Sequence, residues 1–405
     1  MPNSRFEEQI DYIERNSLTT PITFFDERNL DRALETLYEA FSKDVSIFYA
    51  LKSCYNKKLL NSLSSNGLGV EVLSELEYKL AKQSGFTSIV LNGMGRSSDL
   101  LTETINDGNI VIVDTITDLE NLKFLANNCK KSLKLGIRLR INLSNTYPEN
   151  SYVSDDHPLG NYQDSDLFKQ FLAFCNSKTN VKWEMLHVHI AINEVSSQIY
   201  KSTISKIVKV LHDIKVEHKI QPSIINLGGG FEVYDPRNKK LFINLFREIK
   251  EAFDSKLGDF NLAIEPGRYL SAHAGYTIGK VLDIKKVNNK YWIITDIGTN
   301  TLIPISNARY KLALPAPSKD GGDYKVGITD GITSPANNII SDVTINSLPE
   351  KGSYLCIENT GAYTDVYSTF WAYAPHIVCF INKDSEISDY RDREDIEKLK
   401  KIFLK

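Results

Sequence analysis

The sequence predicts a (β/α)8 barrel of the TIM type joined to a C-terminal antiparallel β domain. Three observations carry that expectation. Eight short apolar runs lie between about residue 46 and residue 271. Most of the gaps between them hold a segment with helical patterning. Beyond Arg268 the pattern changes to strand-like stretches separated by turn residues. Strands alternating with helices build a parallel sheet, and eight such units close on themselves. An open doubly wound sheet is the alternative arrangement.

Taken in order, residues 20–25 (Thr-Pro-Ile-Thr-Phe-Phe) read as a strand ahead of the first barrel helix. They are expected to join the β domain. Barrel strands are expected at 46–52, 68–73, 89–91, 110–113, 135–141, 185–192, 224–227 and 262–264. Intervening helices are expected at 74–84, 117–127, 199–215 and 238–256. The β domain then shows strands at 276–287, 290–296, 324–329, 354–358 and 377–381, with Asn288-Asn289 and Gly321-Gly322 among the turns. Residues 391–405 form a charged helix. The barrel is thus expected to span 27–270, and the β domain 1–26 with 271–405.

Composition narrows the function classes. A chain of 405 residues is long enough for a barrel plus a second domain. Its 42% hydrophobic and 24% charged residues are those of a soluble globular protein. The net charge of -3, with Lys and Arg interspersed among Asp and Glu, gives no attraction to nucleic acid. The five cysteines (Cys54, Cys129, Cys175, Cys356, Cys379) are scattered and form no CxxC pair. That speaks against a disulfide framework and a zinc site. The charged N-terminus is no signal peptide, and no apolar run reaches membrane-spanning length. A cytoplasmic protein without membrane partners is expected.

Three motifs stand where barrel strands end. Lys52 closes Ile47-Phe48-Tyr49-Ala50-Leu51-Lys52. Gly228-Gly229-Gly230 follows Ile224-Ile225-Asn226-Leu227. Glu265, Gly267 and Arg268 lie in Ile264-Glu265-Pro266-Gly267-Arg268. Singly, each has a plain explanation: a surface lysine, a tight turn, a rim salt bridge. Together they supply what a barrel enzyme needs to hold pyridoxal 5'-phosphate (PLP). The lysine carries it as a Schiff base, glycine amides hold its phosphate, and a carboxylate keeps its ring nitrogen protonated.

With these motifs in this order, the chain resembles the fold-type III PLP enzymes. These are the ornithine and diaminopimelate decarboxylases, with alanine racemase as a distant relative. The resemblance runs from Thr20 to about Ile381. It implies that Tyr49-Ala50-Leu51-Lys52-Ser53 presents the cofactor lysine and that Arg268 contacts phosphate or a substrate carboxylate. It implies that His189, in His187-Val188-His189-Ile190, stacks on the cofactor ring. A metal site on His187 and His189 is the alternative there, since residues two apart share a face of a strand, but no third ligand is evident. Arg140 matches an arginine that supports the cofactor site. Glu71 stands where Asp is usual, and Asn92-Gly93-Met94-Gly95-Arg96 resembles the third-strand loop. Tyr363, in Gly361-Ala362-Tyr363, matches a tyrosine that reaches the phosphate, and Asp296 an acid near the substrate tail. The resemblance also implies a twofold dimer whose subunits complete each other's sites.

One segment departs from that pattern. Where the decarboxylases carry a cysteine that protonates Cα, this chain reads Asp330-Gly331-Ile332-Thr333-Ser334-Pro335-Ala336-Asn337-Asn338. Thr333 or Ser334 takes the cysteine's place. A hydroxyl is a far weaker acid than a thiol. Asn337 replaces the acid that reads the substrate, and Ile192 stands where serine or glycine is common. The cofactor machinery is therefore expected intact and the substrate and protonation machinery altered. The expected activity is decarboxylation of an amino acid or amino-acid conjugate through an external aldimine, in a specialised biosynthetic pathway. An amino-acid racemase or epimerase, and an inactive regulatory paralogue, are the alternatives.

Overall fold

The computed structural model describes residues 4–41, 44–128, 131–153, 157–303, 308–314, 322–330 and 338–404. The chain divides into two compact units: Met1–Arg32 with Leu270–Lys405, and Ala33–Tyr269. The first strand, β1 (Ile22–Asp26), belongs to the former. The next eight form a closed parallel barrel within the latter. These are β2 (Ser46–Ala50), β3 (Gly69–Val72), β4 (Ile89–Leu91), β5 (Ile110–Val113), β6 (Leu133–Arg138), β7 (Val181–His187), β8 (Ile224–Asn226) and β9 (Asn261–Ile264). Each pairs with its sequence neighbours, and β2 closes the ring on β9.

Helices between the strands start where polar side chains can cap them. Asn56 caps Lys57–Ser65, Ser74 caps Glu75–Gln83, Ser97 caps Ser98–Asn106 and Ser165 caps Asp166–Ser177, each accepting from a first-turn N–H. Such a cap stabilises a helix by about 1 kcal/mol. Behind the barrel wall the helices bury an aromatic cluster in which Phe246 meets Phe41, Phe231 and Tyr269 at 5.0–5.2 Å.

The lumen is layered. Phe48, Val90, Ile110, Ile112, Met185 and Ala263 form an apolar plug, with Ile224 packed against it. Gly69 and Gly136 leave room for it: a Cβ on Gly69 would strike the Phe48 ring, and one on Gly136 the Ile112 side chain. Because strand side chains alternate, the residue two further on faces the same way. Two residues beyond the lumen position of each strand stand Ala50, Glu71, Asn92, Asp114, Arg138, His187, Asn226 and Glu265. Seven of these eight are polar, and all are buried. The barrel therefore carries an apolar plug beneath a polar ring at the C-terminal ends of its strands.

The other unit is a nine-stranded sheet built on β1, β10 (Gly275–Val287), β11 (Lys290–Thr295), β12 (Lys311–Ala313), β13 (Tyr324–Thr329), β14 (Ile340–Ile345), β15 (Tyr354–Glu358), β16 (Ile377–Ile381) and β17 (Ile387–Arg391). It is mixed rather than wholly antiparallel, because β1 runs parallel to β16 and β11 parallel to β13. β1 lies between β10 and β16, with Ile22 paired to Ile278 on one side and to Ile377 on the other. The helix Ser4–Arg15 covers one face with Phe6 and Ile13, and the helix Arg393–Phe403 adds Ile396.

Candidate active site

Lys52 sits just past β2, in a single 3-10 turn (Leu51–Ser53), rather than in the strand itself. Its side chain is 37% exposed, and its Nζ lies 3.5 Å from Glu71 Oε2. Glu71 is fully buried, and neither of its oxygens accepts a hydrogen bond among the described residues. Burial pushes its carboxyl up to about 7, with Lys52 pulling the other way and Glu265 adding to the rise.

Glu265 stands just past β9, fixed at both oxygens. His187 Nε2 lies 3.1 Å from Oε2, and Asn226 Nδ2 donates to Oε1 at 2.8 Å. Burial alone would raise its pKa. The neighbouring His187 and Lys52 outweigh burial and hold it down at about 2. Two buried carboxyls in one lumen are thus held far apart in proton affinity, which is how acid and base roles are separated.

Gly228 and Gly230 have positive φ (71° and 89°). A Cβ on Gly228, Gly229 or Gly230 would collide with the carbonyl of Val188, Glu265 or Ala191 respectively. The turn is bare because the neighbouring backbone leaves no room. The Gly228 N–H donates to Asn226 Oδ1 at 2.9 Å and the Gly229 N–H to His189 Nδ1 at 3.4 Å. His189 is half-buried just past β7, its ring edge-on to Tyr152 at 5.2 Å. Burial holds its pKa well below the usual range, so the ring is neutral. Gly267 packs against Ala50 and Ser53, where a Cβ would come within 3.1–3.2 Å of theirs. Arg268 is half-buried at the start of the short helix Arg268–Ser271.

The remaining expected residues fall elsewhere. The Arg140 guanidinium is taken up by the His157 and Leu159 carbonyls and lies 5.4 Å from the Tyr162 ring centre. Arg96 is buried against Asp118 at 2.6 Å. In the other unit, Asp296 accepts from Thr20 Oγ1 at 2.5 Å and from the Lys280 N–H at 2.8 Å, and burial raises its pKa. It lines a cavity of about 580 Å³ with Asn300, Tyr373 and Arg393. Tyr363 has φ 60° and stacks on Tyr367. Thr333, Ser334 and Asn337 lie outside the described residues. Sequence reading missed Asp114, Arg138 and the structural part played by His187, Asn226 and Asn92. Their signal was present: each stands just beyond, or ends, an apolar run.

A family model for the pyridoxal binding domain of pyridoxal-dependent decarboxylases matches residues 27–272. The chain belongs to this decarboxylase family. Its cofactor is PLP, and it is a PLP-dependent carboxy-lyase. A diaminopimelate decarboxylase of Aquifex aeolicus (strain VF5) is 24% identical over 390 residues, covering 93% of this chain and 90% of that protein. A 2-[(L-alanin-3-ylcarbamoyl)methyl]-2-hydroxybutanedioate decarboxylase of Staphylococcus aureus (strain NCTC 8325 / PS 47) is 25% identical over 290 residues, 70% of this chain and 72% of that one. The solved diaminopimelate decarboxylase from M. jannaschii in complex with L-lysine matches the fold with a TM-score of 0.84 at 22% identity. That match covers 96% of this chain and 93% of the other.

The lumen of this decarboxylase suits its cofactor. The hydrogen-bonding capacity of Glu71 and of His187 Nδ1 is unspent although both are buried. The Gly230 N–H also takes part in no hydrogen bond among the described residues. Unspent buried polar groups gathered at a barrel mouth are what a polar ligand satisfies. Among the described residues no group of three or more His, Cys, Asp or Glu side chains could hold a metal ion. None of the described helices is long and apolar enough to cross a membrane.

Proposed function

We propose that this decarboxylase acts on an amino acid joined to a larger acidic group, in a specialised biosynthetic pathway. The observation that carries the reading of the site is the pair of opposed carboxyls around Lys52: Glu71 near neutrality at 3.5 Å, and Glu265 held anionic by His187 and Asn226. When bound, PLP supplies an electron sink for the bonding pair released as carbon dioxide leaves. Lys52 holds the cofactor covalently. Glu71, titrating near 7 beside it, takes up and returns the lysine's proton. Glu265 holds a proton on the ring nitrogen, because its own affinity for that proton is low. His189, neutral, would lie against the ring face, while the bare glycine turn and Arg268 would receive the phosphate. Tyr363 would serve the phosphate and Asp296 and Asn337 the substrate, and water or a group near Thr333 or Ser334 would supply the proton that replaces the lost carboxylate.

The conjugate is supported by the Staphylococcus aureus relative, whose name describes an amino acid amide-linked to a hydroxy acid. The loss of cysteine and acid from residues 330–338 points the same way. We further propose a homodimer. Tyr367, Phe370, Trp371 and Tyr373 are 36–55% exposed in one run, an aromatic patch of the kind that pairs with a second copy. The buried thiols of Cys54, Cys175, Cys356 and Cys379 support a cytoplasmic location.

The test is the visible absorbance of purified protein beside Lys52→Ala, each with and without borohydride, followed by carbon dioxide release from acidic amino-acid conjugates and from free diaminopimelate. A band trapped in the wild type and not in the variant, with release from a conjugate only, is the expected result. Release from free diaminopimelate at a higher kcat/KM overturns the substrate assignment. A light-scattering mass of one chain overturns the dimer.

A further inference from the structure

Arg138 ends β6 and faces the lumen, in register with His187 on β7. Only 8% of the residue is exposed. Its guanidinium takes part in none of the hydrogen bonds or ion pairs of the described residues. Asp114, Glu265 and Glu71 are the carboxylates that act on it most strongly, in that order, and it forms an ion pair with none of them. Asp114 spends one oxygen on the Gly160 N–H and the Asn161 amide, both at 2.9 Å, and leaves the other unbonded. A guanidinium with little access to water and no protein acceptor is costly unless something satisfies it. A buried group left in that state calls for a partner that is not part of the chain.

The strand order says where that partner lies. The three proposed cofactor anchors follow β8 (Gly228–Gly230), β9 (Glu265) and β2 (Lys52), which are consecutive around the ring. The rest of the mouth belongs to β3 through β7. Their inward residues are Glu71, Asn92, Asp114, Arg138 and His187, and Arg138 alone among these carries a permanent positive charge. Arg140, two residues on, is committed to the loop carbonyls.

We infer that Arg138 binds an oxyanion in the barrel mouth, on the wall across the ring from Lys52. This rests on the placement of PLP proposed above. Two oxyanions have the required chemistry and are left unassigned by the anchors proposed above: the phenolic oxygen of the cofactor and a second carboxylate on the substrate. The leaving carboxylate is not a candidate, because a cation held on it would oppose its loss as neutral carbon dioxide.

The experiment compares PLP-loaded wild type, Arg138→Met and Arg138→Lys. It records the pH titration of the cofactor band, and the binding of L-glutamate and L-alanine by the spectral change each causes. Thermal melting identifies any variant that fails to fold, in which case Arg138→Gln takes its place. If the titration midpoint moves up by about one pH unit or more in Arg138→Met and stays in Arg138→Lys, the assignment holds and the anion is the phenolic oxygen. If the midpoint stays while L-glutamate binding weakens about tenfold or more and L-alanine binding does not, the assignment holds and the anion is a substrate carboxylate. An unmoved midpoint with both amino acids bound as before, or weakened equally, overturns it, since an arginine that serves only Asp114 would give that result. A wild type that shows no cofactor band overturns the placement of PLP, and the assignment with it.

Discussion

His187 and Glu265 meet at 3.1 Å from strands separated by β8, and Asn226, on β8, holds the carboxylate's other oxygen at 2.8 Å. The carboxylate can neither turn nor easily take up a proton. Replacing it by Glu265→Gln keeps the shape and removes the charge. The expected result is a fall in kcat of about 10²–10³, the usual loss for one preorganised electrostatic group. Steady-state carbon dioxide release checks it, and a variant within about threefold of wild type contradicts it.

Glu71 gives stability a pH dependence of known sign. Its folded pKa, about 7, lies above the ordinary 4.5. A carboxyl raised in this way favours the fold while protonated. That contribution is whole below about pH 4.5 and is lost as pH rises to about 7. Cofactor-free Glu71→Gln should keep its stability over this range, where the wild type loses up to about 3 kcal/mol. Urea unfolding of both proteins at the two ends of the range decides it, and parallel declines would refute the assignment.

The glycine turn is tight before any ligand arrives. Gly229→Ala places a methyl against the Glu265 carbonyl, so backbone must move. A loss of about 1–3 kcal/mol is expected, and it should appear in cofactor-free protein as well as in loaded protein. A defect confined to PLP binding would mean that the clash relaxes.

Arg96 and Asp118 form a buried ion pair at 2.6 Å, with Thr115 Oγ1 donating to the same carboxylate oxygen at 2.8 Å. Asp118→Asn strands a guanidinium and should cost about 3–5 kcal/mol. The double variant with Arg96→Met should recover part of that, as measured by denaturant midpoint.

Barrel strands are legible because both faces are buried, so each reads as an apolar run. Their ends are less so. Residues 188–192 read as strand because they are mostly apolar, but β7 has already ended at His187 and they form a loop in which Val188, Ile190 and Ala191 are buried. The same strand begins earlier than its apolar run, at Val181, where Lys182 and Glu184 alternate with buried Val181 and Trp183. The strands β12, β14 and β17 escaped notice: they are three to six residues long and none of their residues is fully buried, so pairing defines them and composition does not. The helix Ser4–Arg15 was hidden by its charge, although Phe6 and Ile13 mark its buried side. Lys52, the glycines and Glu265 stood out because each interrupts an apolar stretch with a chemistry the stretch does not need. Arg138 and Arg140 stand two apart at and just past the end of β6, and sequence alone cannot choose between them. In the structure Arg140 Nη2 meets the His157 and Leu159 carbonyls, which no sequence pattern announces.

The position of β1 between β10 and β16 has a consequence for the living cell. Every residue of this strand is buried once paired, yet it leaves the ribosome ahead of the whole barrel. One neighbour, β10, is about 250 residues away, and the other about 350. At the usual 5–20 residues per second, the second edge stays open for roughly 20–70 s. Throughout that interval Ile-Thr-Phe-Phe is a nascent sticky end while the barrel is made behind it. Chaperone demand during synthesis should therefore track this early strand more closely than the larger barrel.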